Sequence, residues 1–269
     1  MAILDDFKFE DLRAIKFGRF FKNRVNTSCY VFCLGQSMID TGPPNQWHLV
    51  RTLMDEVRPR TLLITHHHED HSGNAPLLQR RYDCQVQCHA KALDPLEKGF
   101  RIPFYRRLVW GKPHAGAKPV CFEPDSEGLE PIQAVETPGH SDDQVCLFFP
   151  NRGWLFSGDL YISERPKVTR SIEDPLLEMQ SLQKVLALDF ETLFCSHRGM
   201  IAQGRAAIQR KLDYMKNLRG EAETLRQKGC EVREIVQALL GPEDRFMYWF
   251  SWGDFSKKNL IEGLLGNRD

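Results

Sequence analysis

The sequence predicts a layered α/β fold with its polar clusters at strand ends. Short apolar runs typical of buried strands alternate with segments whose apolar residues recur at helical spacing. This alternation favours sheets covered by helices. The chain has 269 residues, 42% of them hydrophobic and 27% charged, which is enough apolar material for a full globular core.

The first half of the chain shows this alternation clearly. Residues 28–41 are predicted to form two strands joined by a tight turn. After a Pro-Pro-Asn break at 43–45, apolar residues follow helical spacing up to Val57, and Pro59 ends that helix. Residues 61–64 are then predicted to form a buried strand, just before a cluster of histidines.

The pattern is repeated further along the chain. Short strands are predicted at 134–135, 145–149 and 154–156, and an amphipathic helix over 176–186 leads to a strand at 192–195. Polar residues follow most of these strands. Since loops at strand ends gather into binding sites, a functional site is expected there.

The last quarter of the chain has a helical character. Apolar residues fit one helix face over 208–225, 232–240 and 256–265. We interpret residues 201–269 as a helical appendage packed on the preceding core, residues 1–200, and not as an independent domain.

Charge and composition exclude several classes of partner. Lys+Arg and Asp+Glu both number 36, so the net charge predicts neither a nucleic-acid nor a membrane partner. The N-terminus lacks the features of an export signal, and no apolar stretch approaches the roughly 20 residues of a spanning helix. We expect a cytoplasmic protein acting on a small molecule. Its eight scattered cysteines are expected to be reduced, buried thiols and not a second zinc site.

The segment 65–71, THHHEDH, carries the strongest functional signal. His66 and His68 stand two residues apart and can converge on one ion from a sharp loop. Asp70 and His71 are adjacent and point to a neighbouring position. Imidazole suits zinc and iron, and a carboxylate adds neutralising charge. The alternative is a polar surface loop without a metal.

Three further residues strengthen the metal interpretation. His140 in TPGHSDD, Asp159 in SGDL and His197 in SHRG each follow a strand-like run in a turn-prone setting. Five histidines and two aspartates can hold two ions if one aspartate bridges them and a water-derived hydroxide completes both shells. The sequence therefore predicts two divalent ions, with Zn²⁺ expected and iron or manganese as alternatives.

These residues carry a resemblance to a known family. HxHxDH followed by single His, Asp and His residues resembles the metallo-β-lactamase superfamily over residues 26 to about 200, and THHHEDHSGN resembles its glyoxalase II-like branch without closely matching glyoxalase II itself. The resemblance implies an αββα sandwich with the metals at one edge. It implies His66, His68 and His140 around one ion, Asp70, His71 and His197 around the other, and Asp159 between them.

The resemblance also implies roles for individual carboxylates. Asp70 and Asp159 would be the catalytic carboxylates, and Asp40, in the IDTG match, would orient a metal ligand from behind. We expect a hydrolase that attacks an ester, thioester or lactone carbonyl with a metal-bridging hydroxide. Two alternatives stay open: a phosphodiesterase or ribonuclease with the same site, and a mononuclear iron oxidoreductase similar to persulfide dioxygenases.

Residues 98–118 are the main clue to the substrate, because they carry six Lys or Arg, no Asp or Glu, and several aromatic residues. One interpretation is a basic and aromatic lid over an anionic substrate. The other is an amphipathic helix with its aromatics inward and its basic groups solvated. On the first interpretation the substrate contacts are Arg101, Tyr105, Arg106, Arg107 and Trp110. Tyr161, two residues after the bridging aspartate, is either a further contact or a packing residue.

Residues 246–255, FMYWFSWGDF, form an aromatic segment with six aromatic side chains. They could line the substrate cleft, form the seam of a homodimer, or fix the last helices to the core. Core packing is the commonest use of such clusters and is the expectation here.

Overall fold

Two β-sheets lie face to face at the centre of the molecule. The computed structural model describes residues 2–21, 24–122 and 131–266. Within them, the first sheet has seven strands in chain order: β1 (Ala2–Phe9), β2 (Leu12–Phe21), β3 (Arg24–Leu34), β4 (Ser37–Ile39), β5 (Thr61–Leu63), β6 (Gln85–Cys88) and β7 (Pro119–Cys121). The second has the order β12-β11-β10-β9-β8, formed by β8 (Gln133–Glu136), β9 (Val145–Phe149), β10 (Trp154–Phe156), β11 (Thr192–Cys195) and β12 (Gly199–Ile201).

The space between the sheets is filled largely by aromatic side chains. Strand β3 shows why, because its side chains alternate between two cores. Tyr30 and Phe32 point between the sheets, whereas Val31 and Cys33 point to the opposite face. Across the interface, Phe32 meets Phe156 of β10 with ring centroids 5.2 Å apart.

Helices cover the outer face of each sheet. The first sheet is associated with α1 (Trp47–Val57), α2 (Glu69–Ser72), α3 (Ala75–Tyr82), α4 (Leu93–Lys98) and α5 (Phe104–Trp110). The second carries α6 (Pro175–Leu186), α7 (Gly204–Gln227), α8 (Val232–Leu240), α9 (Arg245–Phe250) and α10 (Lys257–Leu264). The αββα sandwich is therefore confirmed. In the described part of the chain, no helix has both the length and the apolar character needed to cross a bilayer.

Helices α7, α8 and α10 belong to the core on the outer side of the second sheet. Ile208 and Leu212 of α7, Ile235 of α8 and Leu260 of α10 share one buried cluster with Leu193 of β11. These helices and α6 together form the outer layer of that sheet.

The eight cysteines are all free thiols, and six of them are buried. Cys121 is exposed and Cys230 is half-buried. The expectation of reduced, buried thiols is confirmed for the six. It is wrong for Cys121, which lies at the end of the edge strand β7, where no further strand of the described chain covers it.

Candidate metal centre

Seven side chains collect at one edge of the sandwich, just beyond the carboxyl ends of β5, β8, β10 and β11. They form two groups, and the ligand atoms within each lie within 4.8 Å of one another. The first group is His66, His68 and His140, and the second is Asp70, His71, Asp159 and His197. The structure thus brings together all seven residues singled out in the sequence.

The carboxylate of Asp159 faces both groups. Its Oδ2 lies 3.2 Å from Nε2 of His140, whereas its Oδ1 lies 3.1 Å from Nε2 of His197 and 3.3 Å from Nε2 of His71. The two oxygens of one carboxylate therefore point to different groups. This is the arrangement that a carboxylate between two cations requires.

Buried polar atoms in this cluster lack hydrogen bonds. Nε2 of His66, Nε2 of His71 and Oδ1 of Asp159 are inaccessible to solvent, and none makes a hydrogen bond of acceptable geometry. Leaving a buried polar atom unsatisfied costs about 1–3 kcal/mol, so three together need an explanation. Imidazole nitrogens and carboxylate oxygens aimed at a common point fit divalent metal ions.

Asp40 supports the second group from behind. It is fully buried and its Oδ2 lies 2.7 Å from Nδ1 of His71, which leaves Nε2 of that ring for a metal. The backbone N–H of Thr65 donates to Oδ1 of Asp40 at 2.9 Å and fixes the carboxylate. The role that the sequence suggests for Asp40 is matched by this geometry.

Two other imidazoles are oriented in the same manner. Nδ1 of His197 lies 2.8 Å from the carbonyl oxygen of Ser28 on β3, so its Nε2 faces the centre. Nδ1 of His140 lies 3.1 Å from Oε1 of Glu173. Burial would raise the pKa of Glu173, but the His140 ring and the Arg170 guanidinium outweigh it and lower the pKa to about 2. Such partners fix the ring and its tautomer, and Glu173 was not predicted from the sequence.

Arg170, which lies beside the first group, was not predicted either. It is 3% exposed, its Nη2 lies 3.0 Å from Nε2 of His140, and its Nε donates to Oε1 of Glu173 at 2.7 Å. A single arginine in a loop of mixed polarity carries no pattern that could have identified it. Its positive charge is compensated by Glu173, so the pair can approach the histidines without leaving a net buried charge.

A cavity of about 480 Å³ opens beside the first group. Its walls come from the metal loop (His67, His68), the basic insertion (residues 98–118), residues 171–172, and residues 252–254 of the aromatic segment. Its volume falls within the roughly 300–1,000 Å³ range of small-molecule sites. Its position next to the metal ligands makes it the candidate substrate cavity.

The ligand-bearing part of the chain matches a known family. A family model of the metallo-beta-lactamase superfamily matches residues 24–197. The chain belongs to the metallo-beta-lactamase superfamily. It is 28% identical over 234 residues to an atrochrysone carboxyl ACP thioesterase of Aspergillus fumigatus, covering 80% of this chain and 68% of that relative. It is also 27% identical over 186 residues to a hydroxyacylglutathione hydrolase of Rhizobium etli, covering 68% of this chain and 64% of that relative.

These relatives are named as a thioesterase and a hydrolase, and the second confirms the weak resemblance to the glyoxalase II-like branch. The fold agrees as well. The crystal structure of a metallo-beta-lactamase family protein from Thermus thermophilus superposes with a TM-score of 0.69 at 15% sequence identity, covering 96% of this chain and 94% of that one.

The basic insertion is held to the metal loop by an ion pair between one of its arginines and Glu69. Arg106 is buried and donates from Nε and Nη2 to the Glu69 carboxylate of α2 at 2.7 and 2.6 Å. Arg101 is exposed and lines the cavity, whereas Arg107 is exposed and is not part of the cavity wall. Of the three arginines predicted to contact an anionic substrate, Arg101 is therefore the one that both lines the cavity and is not already paired.

The aromatic candidates are placed differently from one another. Trp110 is half-buried with its ring centroid 6.3 Å from that of His197, at the second metal group. Tyr105 is buried and donates to Oδ2 of Asp254 at 2.6 Å, so it holds the aromatic segment. Tyr161 is buried in the core outside the second sheet, a packing position.

The expectation that the aromatic segment packs in the core is wrong for most of its side chains. Phe246, Trp249 and Trp252 are 72%, 73% and 76% exposed. Helix α9 spans only six residues and no described element covers its outer side, so its side chains project in several directions. Phe250 alone makes a described ring contact with the insertion, 5.8 Å from Tyr105.

Two histidines of the first group and two of the second have opposite pKa shifts. Burial and the neighbouring positive charges lower the pKa of His66 and of His68 well below the usual value. Burial also opposes the charge on His197, but Asp159 and Asp70 outweigh it and raise the pKa to about 9. The carboxylates likewise raise the pKa of His71 well above its usual range against the effect of burial. At neutral pH, protons therefore compete with a metal mainly in the second group.

This difference predicts stepwise metal loss on acidification. As the pH falls, an ion in the second group is expected to leave first, since His71 and His197 bind protons more readily than His66 and His68 do. The measurement is elemental analysis after dialysis at descending pH. A His66→Ala variant, which retains the second group, should lose its ion at the pH of the first wild-type step. Loss of all metal from the wild type in a single step, or loss from His66→Ala only at the pH of the second wild-type step, would contradict the assignment.

Replacing Asp40 by asparagine is expected to lower metal affinity or turnover by about 10–100-fold while leaving the fold intact. Asp40 has a positive φ of 57°, a conformation that asparagine also tolerates, so the backbone is not disturbed. What is lost is the negative acceptor for Nδ1 of His71. Metal content and steady-state rates test this, with circular dichroism as the folding control. Unchanged metal content and unchanged rates would show that Asp40 does not support the metal centre.

Proposed function

We propose that the protein is a dinuclear metal-dependent hydrolase of acyl thioesters or related esters and lactones. The observation that carries the dinuclear assignment is the carboxylate of Asp159, whose two oxygens face different ligand groups. The names of the fungal thioesterase and the bacterial hydroxyacylglutathione hydrolase favour a thioester among these carbonyl substrates.

Bound divalent ions would supply a deprotonated water at neutral pH and would polarise the substrate carbonyl. The residues of the chain prepare the site for this chemistry. Asp70, with Oδ2 3.6 Å from Nε2 of His197, and Asp159 provide the negative charge that makes the second group attractive to a cation. Asp40, Glu173 and the carbonyl oxygen of Ser28 hold three imidazoles with Nε2 inward, so little reorganisation is needed during the reaction. We assign Asp70 the further role of orienting the attacking water.

The test is a substrate panel on metal-quantified protein, with Zn²⁺, Fe²⁺ and Mn²⁺ reconstituted separately. We expect about two ions per chain, hydrolysis of thioesters, and loss of activity with a chelator. One iron per chain with oxygen consumption on a persulfide would establish the dioxygenase alternative. Cleavage of phosphodiesters or RNA, without cleavage of thioesters, would establish the phosphodiesterase or ribonuclease alternative.

If the substrate is anionic, Arg101 is expected to contact it, because it is the arginine of the cavity wall without an ion-pair partner among the described residues. Arg101→Gln should then raise KM with little change in kcat, and the defect should shrink at high salt, where exposed charges are screened over roughly 8 Å or less. Arg107→Gln is the matched control, since it removes an exposed arginine outside the wall. Equal KM values for both variants at low salt would exclude a contact with Arg101.

A further inference from the structure

Two of the charged groups in the cavity wall are already engaged within the protein, one by an ion pair and one by hydrogen bonds. Arg106 is paired with Glu69, and the carboxylate of Asp254 accepts hydrogen bonds from Tyr105 and from the Ser171 hydroxyl, both at 2.6 Å. Of the wall residues in the described part of the chain, Arg101 is the charged group that remains without such a partner. A ligand inside the cavity therefore meets few charges that could recognise it.

Apart from His67 and His68, the rest of the wall is mainly apolar. Phe100, Ile102 and Pro103 come from the basic insertion, and Ile172 and Trp252 contribute to the same lining from two other segments. Ile172 and Trp252 are 71% and 76% exposed, although both are large apolar side chains. Apolar surface clustered in this manner marks a binding site, since covering it removes it from water.

Asp254 fixes the shape of this wall. One carboxylate joins Tyr105 of α5, Ser171 and the aromatic segment, and the backbones of Thr169 and Ser256 pair nearby in an isolated bridge. The three chain segments that carry the apolar side chains are thus held together beside His68. A preformed apolar wall next to the reacting groups suits a part of the substrate that does not itself react.

We propose that this cavity binds the acyl group of the substrate, and that the group is an extended alkyl or aromatic chain and not a small hydroxyacyl unit. This assignment rests on the proposed hydrolysis of acyl thioesters and specifies the acyl class. Ile172 and Trp252 determine the specificity by covering the acyl chain. Arg101, at the cavity wall, meets a polar or anionic part of the same substrate.

The kinetic test uses N-acetylcysteamine thioesters of acetate, hexanoate and decanoate, which share one leaving group. We expect kcat/KM of the wild type to increase on the order of tenfold or more from acetyl to decanoyl, as buried methylene groups are added. Trp252→Ala should remove most of that increase. Trp249→Ala is the matched control, because Trp249 is equally exposed, belongs to the same segment and lies outside this wall.

A binding test separates this inference from the proposed function. Calorimetry of acetate and decanoate with metal-loaded and chelator-treated protein should show tighter binding of decanoate, weakened by Trp252→Ala and not by Trp249→Ala. If no thioester is cleaved but this pattern holds, the hydrolytic function fails and the apolar cavity stands. If thioesters are cleaved without preference for chain length and both tryptophan variants behave alike in binding, the acyl assignment is overturned.

Discussion

Replacing Asp159 by alanine is expected to release metal from both groups and to abolish hydrolysis. Its oxygens lie 3.2 Å from His140 in the first group and 3.1 Å from His197 in the second. Removing one carboxylate therefore takes a ligand and neutralising charge from two cations at once. The measurement is elemental analysis of purified protein, with about two ions per chain expected in the wild type.

Two variants define the comparison for Asp159. His66→Ala should deplete mainly the first group, because that ring belongs to it alone. Asp142→Ala removes an exposed aspartate close to His140 that belongs to neither group, so metal content should be retained. If Asp159→Ala keeps both ions, or loses only one, the bridging assignment is wrong.

The second large effect concerns stability. Arg106→Ala is expected to lower the free energy of unfolding by about 3–5 kcal/mol, because it leaves the carboxylate of Glu69 buried without its counter-charge. Denaturant titration of the chelator-treated protein measures this loss. Arg107→Ala, the exposed neighbour on the same helix, should change stability by less than about 0.5 kcal/mol. An equal loss in the two variants would show that the ion pair contributes nothing.

The pH dependence of this effect has a definite sign. Burial raises the pKa of Glu69 even beside Arg106, so the folded state binds this proton more readily than the unfolded state does. Without the arginine the pKa of Glu69 in the folded state should rise further, because the counter-charge that opposes burial is gone. The loss of stability should therefore be largest above that raised pKa and should shrink as the pH falls through it toward the ordinary glutamate value of about 4.3. Adding Glu69→Gln to the variant should restore much of the stability at neutral pH.

The ligand set and the sandwich were predictable because their signals are local. His66 to His71 lie in one short segment, and the other ligands each directly follow an apolar strand run. Because the ends of neighbouring strands lie at one edge of a sheet, local sequence patterns were enough to predict that these side chains lie close together. The N-terminal strands β1 and β2 were not predicted. Apolar and polar residues alternate in both strands, but both strands precede residue 28, where the first predicted strand begins.

Contacts between distant chain segments were not predictable. Tyr105 and Asp254 are 149 residues apart, and Arg106 meets Glu69 across 37 residues. Nothing in the composition of the basic insertion indicates which arginine is buried, because burial is decided by the partner. The prediction for the aromatic segment was wrong for the same reason. Whether its side chains are buried depends on whether another element covers α9, and no element of the described chain does.

The placement of Trp252 and Asp254 has a consequence for how such enzymes diverge. The family model matches residues 24–197, which contain all seven candidate ligands, whereas Trp252 and Asp254 lie beyond the matched residues. Residues 245–256 contain none of the candidate ligands, so this segment can be exchanged without removing one. On the proposed role of this wall, new substrate preferences could arise by exchange of residues 245–256 alone, with the metal-binding residues unchanged.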